Sequence, residues 1–207
     1  LFSKDFLESL GKAVEKLESR SSVELVVVAA KSSGRYQDVD HQGGFLAACA
    51  MVLVAVYSPR EFAPEMLLFW VVAGYLLGYV LCGQLQGLRR WMTSPGRREQ
   101  QVGVYARSAF VEKKLSSTRE RTGLLLYLSE FERRGVLLGD LGVSARVPRA
   151  LFNELEKEWA EAPDRAELER RVLAGLDRLV EPLAEALPVA DDDENELPNE
   201  IYVEVGV

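Results

Sequence analysis

Apolar positions along this chain fall into three regimes. Between residues 3 and 19, Phe6, Leu7, Leu10, Val14 and Leu17 recur at helical spacing with charges between them, which predicts an amphipathic helix capped by Ser3. Val23-Glu-Leu-Val-Val-Val-Ala-Ala30 is β-branched and nearly continuous, the pattern of a strand covered on both faces, and Ser32-Ser33-Gly34 ends it. Then the pattern loses its polar half. His41 to Pro59 is 19 residues without a Lys, Arg, Asp or Glu, and Met66 to Leu88 is 23. The second stretch is apolar on every side, unlike a surface amphipathic helix. About 20 helical residues span about 30 Å, the thickness of a bilayer's hydrocarbon. The first stretch has a shorter dense core, Gly43–Ser58, and spans only with local thinning of the bilayer or with polar flanks at the interface. Two prolines between Ser58 and Glu65 mark a tight turn, so the two stretches predict a transmembrane helical hairpin.

Soluble patterning returns after the hairpin. Glu99–Ser117 reads as a helix burying Val102, Tyr105, Ala109, Phe110 and Leu115. Leu124–Ser129 and Gly135–Gly139 read as strands separated by a turn over Glu130–Arg134. Helices follow over about 149–160 and 165–186, the latter with Leu168, Val172, Leu176, Leu179 and Leu183 on one side. Helices before and between apolar strands imply a layered α/β domain, with the hairpin inserted after its first strand. The expected organisation is residues 1–40 and 89–187 as two parts of one domain, 41–88 as the hairpin, and 188–207 as a tail. The partly alternating Glu200–Val207 is β-prone and adds a strand either to this domain or to a partner.

Charge sharpens this division. The chain has 32 acids, 25 bases and a net charge of −7, but residues 187–207 hold seven acids and no base, so the body is balanced. A balanced body excludes an obvious nucleic-acid binder. Two cysteines, Cys49 and Cys82, exclude a disulfide scaffold and read as small apolar fillers in the hairpin. The single histidine, His41, excludes any site built on two imidazoles and lies at the membrane edge. Arg89, Arg90, Arg97 and Arg98 follow the second span with no acid among them. By the positive-inside rule both long flanks are cytoplasmic, at the cell's inner membrane. The same four arginines are candidate contacts for a lipid headgroup or a partner. Gly74-x-x-x-Gly78, with Cys82 a turn further on, is a small-residue stripe for close helix packing. Its expected partner is the first span, rich in Ala47, Ala48 and Ala50, with homodimerisation the alternative.

Thr118-x-x-x-Thr122-Gly-Leu-Leu-Leu-Tyr-Leu-Ser-x-Phe-Glu132-Arg133, followed by Gly139-Asp140-x-Gly142, resembles the TPM domain. Ser22-Val-Glu24-Leu-Val-Val-Val is similar to that domain's first strand, and Asn195-Glu-Leu-Pro-Asn199 to a tail of its membrane-anchored bacterial members. The resemblance covers residues 3–40 and 99–199. It implies a three-layer α/β/α domain around a short sheet. It also implies LemA-type membrane proteins as companions and, for some members, calcium binding or acid phosphatase activity.

Read by themselves, Glu24, Glu132, Arg133 and Asp140 are the polar residues in or beside the apolar strands. Charge there must be paired or exposed. One reading gathers Glu24, Glu132 and Asp140 around a cleft as acid–base groups, with Glu132 and Asp140 as ligands for a cation such as calcium. The other makes them ion pairs or solvated strand ends. A phosphatase needs a nucleophile or a strong metal site. The chain has no phosphate loop, no paired aspartates after a strand, and no histidine near Ser129. Asp191-x-Asp193-x-Asn195 begins like a calcium loop, but Glu196 replaces its required glycine and Tyr202 its final glutamate. The expectation is a membrane-anchored, non-enzymatic assembly or regulatory module, with a metal-dependent phosphatase and a metal- or lipid-sensing domain as alternatives. Its expected partners are the bilayer and either a membrane protein or a second copy.

Overall fold

A computed structural model describes residues 2–59, 63–189 and 201–204. The chain forms two compact units, one from residues 1–34 with 98–207 and the other from 35–97.

The first unit is a mixed α/β domain. Strands β1 (Glu24–Ala30) and β2 (Gly123–Ser129) pair in parallel, Glu24 opposite Gly123 and Ala30 opposite Ser129. Strand β3 (Arg134–Gly139) returns antiparallel to β2. Strand β4 (Ile201–Glu204) runs parallel to β1, Ile201 opposite Val27, giving the order β3-β2-β1-β4. The β-prone end of the tail therefore joins its own domain. Its acidic residues 191–200, including the calcium-like triplet and the Asn195–Asn199 motif, lie outside the described residues.

Side chains alternate across the sheet, as a pleat requires. Leu25, Val27, Ala29, Leu124, Leu126, Leu128 and Leu137 point to one face. There they meet α1 (Lys4–Glu18), α7 (Arg149–Ala160) and α8 (Arg165–Ala186) through Leu10, Leu17, Phe152, Trp159, Leu176 and Leu183. Val26, Val28, Leu125 and Tyr127 point to the other face, against Val102, Ala106 and Ala109 of α5 (Pro95–Glu112). Both faces are covered, which accounts for the unbroken apolar run of β2, buried at every position. Ser3 caps α1, accepting from the Phe6 amide, and also donates to Glu169 of α8.

The second unit is a helical hairpin, α2 (Gln37–Tyr57) against α3 (Pro64–Gln84). Helix α2 starts four residues before the charge-free stretch, so its first turn holds Asp38 and Asp40. Helix α3 ends earlier than its apolar pattern. Leu85, at φ −89° and ψ 86°, breaks it, and a separate short helix α4 (Gln86–Met92) follows. The seam is built from glycines. A Cβ on Gly78 would lie 2.5 Å from the Ala47 Cβ and 2.6 Å from the Gly43 carbonyl oxygen, so the two backbones approach as only glycine permits. The small-residue stripe thus packs within the hairpin. Cys82 is buried in the same seam, whereas Cys49 is exposed.

The outer surfaces are apolar and uncovered. Phe45 is 65% exposed, Val56 69%, Leu68 68% and Phe69 64%. Both helices are long and apolar enough to cross a membrane, and only 22% and 11% of their most apolar windows are buried. A hairpin buried within a soluble core would show the opposite.

Candidate functional sites

The sheet register decides which of the predicted polar residues can meet. Glu24 opens β1 beside Gly123, whose carbonyl accepts the Asp140 amide at 2.8 Å, so Glu24 and Asp140 share one end of the sheet. Glu132 follows the far end of β2. Seven strand residues at about 3.3 Å each separate the two ends by about 20 Å, too far for Glu132 and Asp140 to share an ion. Among the described residues, no three His, Cys, Asp or Glu side chains converge as a metal site.

At the Asp140 end, the Arg121 guanidinium lies 2.7 Å from the buried carboxylate. Arg121 itself adopts a left-handed backbone at φ 60°. It is held there by donating its amide to the Thr118 carbonyl and accepting from the Gly142 amide at 2.9 Å. Thr118 Oγ1 accepts the Thr122 amide at 3.1 Å. The residues that carry the family resemblance therefore form a corner that ties the start of β2 to the end of β3.

At the other end, where ligands of parallel sheets commonly bind, Glu132 is 1% exposed. Its carboxylate accepts the Ser33 amide at 2.9 Å through one oxygen and the Ser129 hydroxyl through the other. Ser33 Oγ in turn donates to the Tyr127 hydroxyl at 3.2 Å. Burial pushes the Tyr127 phenol up to about 12, against the lowering effect of the Ser33 hydrogen bond. Glu132 thus clamps the loop after β1 to the end of β2. Ser129 donates its hydroxyl to the same carboxylate that holds the Ser33 amide. Arg133, at φ 50°, donates to the Pro163 carbonyl.

A third location was not foreseen. A cleft of about 730 Å³ opens beside β3, lined among others by Glu99, Arg107, Arg134, Asn153, Lys157 and Glu161. Its floor is a lock on the sheet edge. Glu156 accepts the Leu137 amide at 2.9 Å, Arg149 donates to the Leu137 carbonyl, and the two side chains pair at 2.8 Å. This closes β3 to an added strand. Burial raises the Glu156 carboxyl above its ordinary range, opposed by the Leu137 amide and Arg149. Its lining is mostly charged and amide side chains, with no Ser, Thr, Cys or His among the described residues that line it. Arg149 and Glu156 could have been suspected from their i, i+7 spacing on one helix, but nothing in the sequence places Leu137 opposite them.

Three of the four arginines lie in the hairpin unit, and they separate into different roles. Arg89 pairs with Asp40 at 2.5 Å, where Asp40 is 4% exposed. Arg97 grips Asp38, its second nitrogen at 2.8 Å, and lies 5.3 Å over the Tyr36 ring. These two are therefore engaged within the chain, by acids that the reading of the arginine run alone overlooked. Arg90 has no acid partner among the described residues. His41 accepts or donates at 2.6 Å to the Tyr75 hydroxyl and packs beside Tyr79, an interhelical polar contact.

No family model matches this chain, and no curated protein matches it in sequence. Among solved structures, the chain is similar to the BA42 protein from the psychrophilic bacterium Bizionia argentinensis, determined by NMR. The TM-score is 0.56 over 98% of this chain and 95% of that one, at 15% identity. At that identity the likeness is one of fold. BA42 is a TPM-like domain protein, so the resemblance read from the Thr118–Gly142 run is matched at the level of architecture.

Proposed function

We propose that this protein is a membrane-anchored assembly or regulatory module, in which the hairpin holds a TPM-like domain at the cytoplasmic face of the bilayer. The observation that carries this reading is the α2–α3 hairpin. Its glycine seam leaves the large apolar side chains facing outward, while its two ion pairs lie at one end. Uncovered apolar surface of this extent is costly in water and neutral in lipid. Arg90 adds to the basic end, and the positive-inside rule puts that end on the cytoplasmic side.

The domain engages its partner through the sheet. With β3 closed by Arg149 and Glu156, no described strand pairs with the outer side of β4, where Val203 is 44% exposed. A strand of a membrane-protein partner, LemA-type by the family resemblance, adds there. A photo-crosslinker at position 203, activated in native membranes before mild detergent extraction, tests this. The expected result is a covalent adduct with one second protein in stoichiometric yield. A monomer with no adduct overturns it.

A further inference from the structure

We infer that α4 is an interfacial anchor that lies in the headgroup layer and selects anionic phospholipid through Arg90. The inference rests on the membrane reading above and adds the identity of a lipid contact to it.

Three observations lead there. First, the Leu85 break separates α4 from the span, so these seven residues need not continue through the hydrocarbon. Second, α4 presents an apolar side to the surroundings. Leu88 is 38% exposed and Trp91, one turn on, is 82% exposed, with Leu85 at 52% before them. None of the three fills the hairpin seam. They continue the bare surface of α3, which ends in Val80 and Leu81 at 52% and 43% exposure. An indole at the end of an apolar belt is the pattern of a side chain seated at the membrane–water boundary. Third, the charge there is unevenly spent. Arg89 is consumed by Asp40 and Arg97 by Asp38, whereas Arg90, next to Trp91 in the chain, has no acid partner among the described residues. A guanidinium without an acid partner at headgroup depth is left to pair with a phosphate, and an anionic headgroup adds net attraction.

The occupant is therefore a phospholipid headgroup of the same leaflet, with an anionic lipid such as phosphatidylglycerol favoured over a zwitterionic one. One arginine near a charged surface contributes about 1 kcal/mol, an approximately fivefold local enrichment.

The test uses the full chain in phosphatidylcholine vesicles with Trp70→Phe, which leaves Trp91 and the core residue Trp159. Lipids brominated at graded depths report where Trp91 sits, and brominated phosphatidylglycerol and phosphatidylcholine report which lipid is beside it. The expected result is strongest quenching by the shallowest label and stronger quenching by the glycerol lipid. That preference disappears in Arg90→Gln and persists in Arg90→Lys. Equal quenching by both lipids in the parent protein overturns the selectivity. Trp91 quenched by aqueous iodide but by no lipid label, in a protein that stays in the vesicles, overturns the anchor while leaving the hairpin reading intact. A protein that does not enter the vesicles at all overturns the hairpin reading, and this inference with it.

Discussion

Glu132 shows how a single buried carboxylate is made tolerable, and what it then does. Both oxygens have protein donors, the Ser33 amide and the Ser129 hydroxyl, so the charge is solvated by the loop it holds. Glu132→Ala leaves both donors buried without an acceptor and is expected to cost about 3 kcal/mol of domain stability in a denaturant titration, with Glu132→Gln losing less. An unchanged midpoint for Glu132→Ala contradicts the clamp. Tyr127 adds a pH dependence. Its phenol titrates near 10 when unfolded and at about 12 in the folded domain, so the folded state holds the proton more tightly. The associated stability is complete below pH 10 and is lost as pH rises through 12, a loss of about 3 kcal/mol. Tyr127→Phe should flatten this alkaline limb in thermal melts across pH 9–12, and an unaltered limb assigns it elsewhere. The sequence marked Glu132 and Asp140 as charges that need an explanation. It could not say that they sit at opposite ends of the sheet, because that depends on β2 and β3 pairing antiparallel. Nor did it mark Ser33 or Arg121, whose roles come from loop geometry rather than from any pattern.

Long elements were legible because their periodicity outruns local accidents. The helices expected at 149–160 and 165–186 are α7 and α8 with those bounds, and the three apolar runs are β1, β2 and β3. Short elements were not. Helices α4 and α6 (Leu141–Arg146) span seven and six residues, too few for an apolar period to show. Helix α5 begins at Pro95, a residue suited to a first helical turn, four residues before its apolar side becomes visible, and it ends at Glu112 with a separate 3-10 turn at Leu115–Ser117. The hairpin's glycines were legible as a stripe, and the structure ranks them. A Cβ on Gly78 meets backbone, the Gly43 carbonyl, whereas a Cβ on Gly74 meets the Met51 side chain at 2.6 Å, which can move aside. Gly78→Ala is therefore expected to lower the detergent-solubilised melting temperature more than Gly74→Ala. An equal or reversed order shows that the helices do not pack along this seam.

At the scale of the whole molecule, the two units bury opposite kinds of side chain. The α/β unit buries its large apolar side chains in two clusters on either face of its sheet. The hairpin unit buries glycines and Asp40 and turns Phe45, Leu68 and Phe69 outward. This inversion is the basis of the proposed anchored module, in which water would surround one unit and lipid the other. Composition alone conceals it, since the two units average to an unremarkable apolar content of 48%. The most direct test is alkaline carbonate extraction of membranes from cells making the full chain. The protein is expected to stay with the membrane pellet, as an integral protein does. Its release into the supernatant, alongside peripheral proteins, would contradict the central claim.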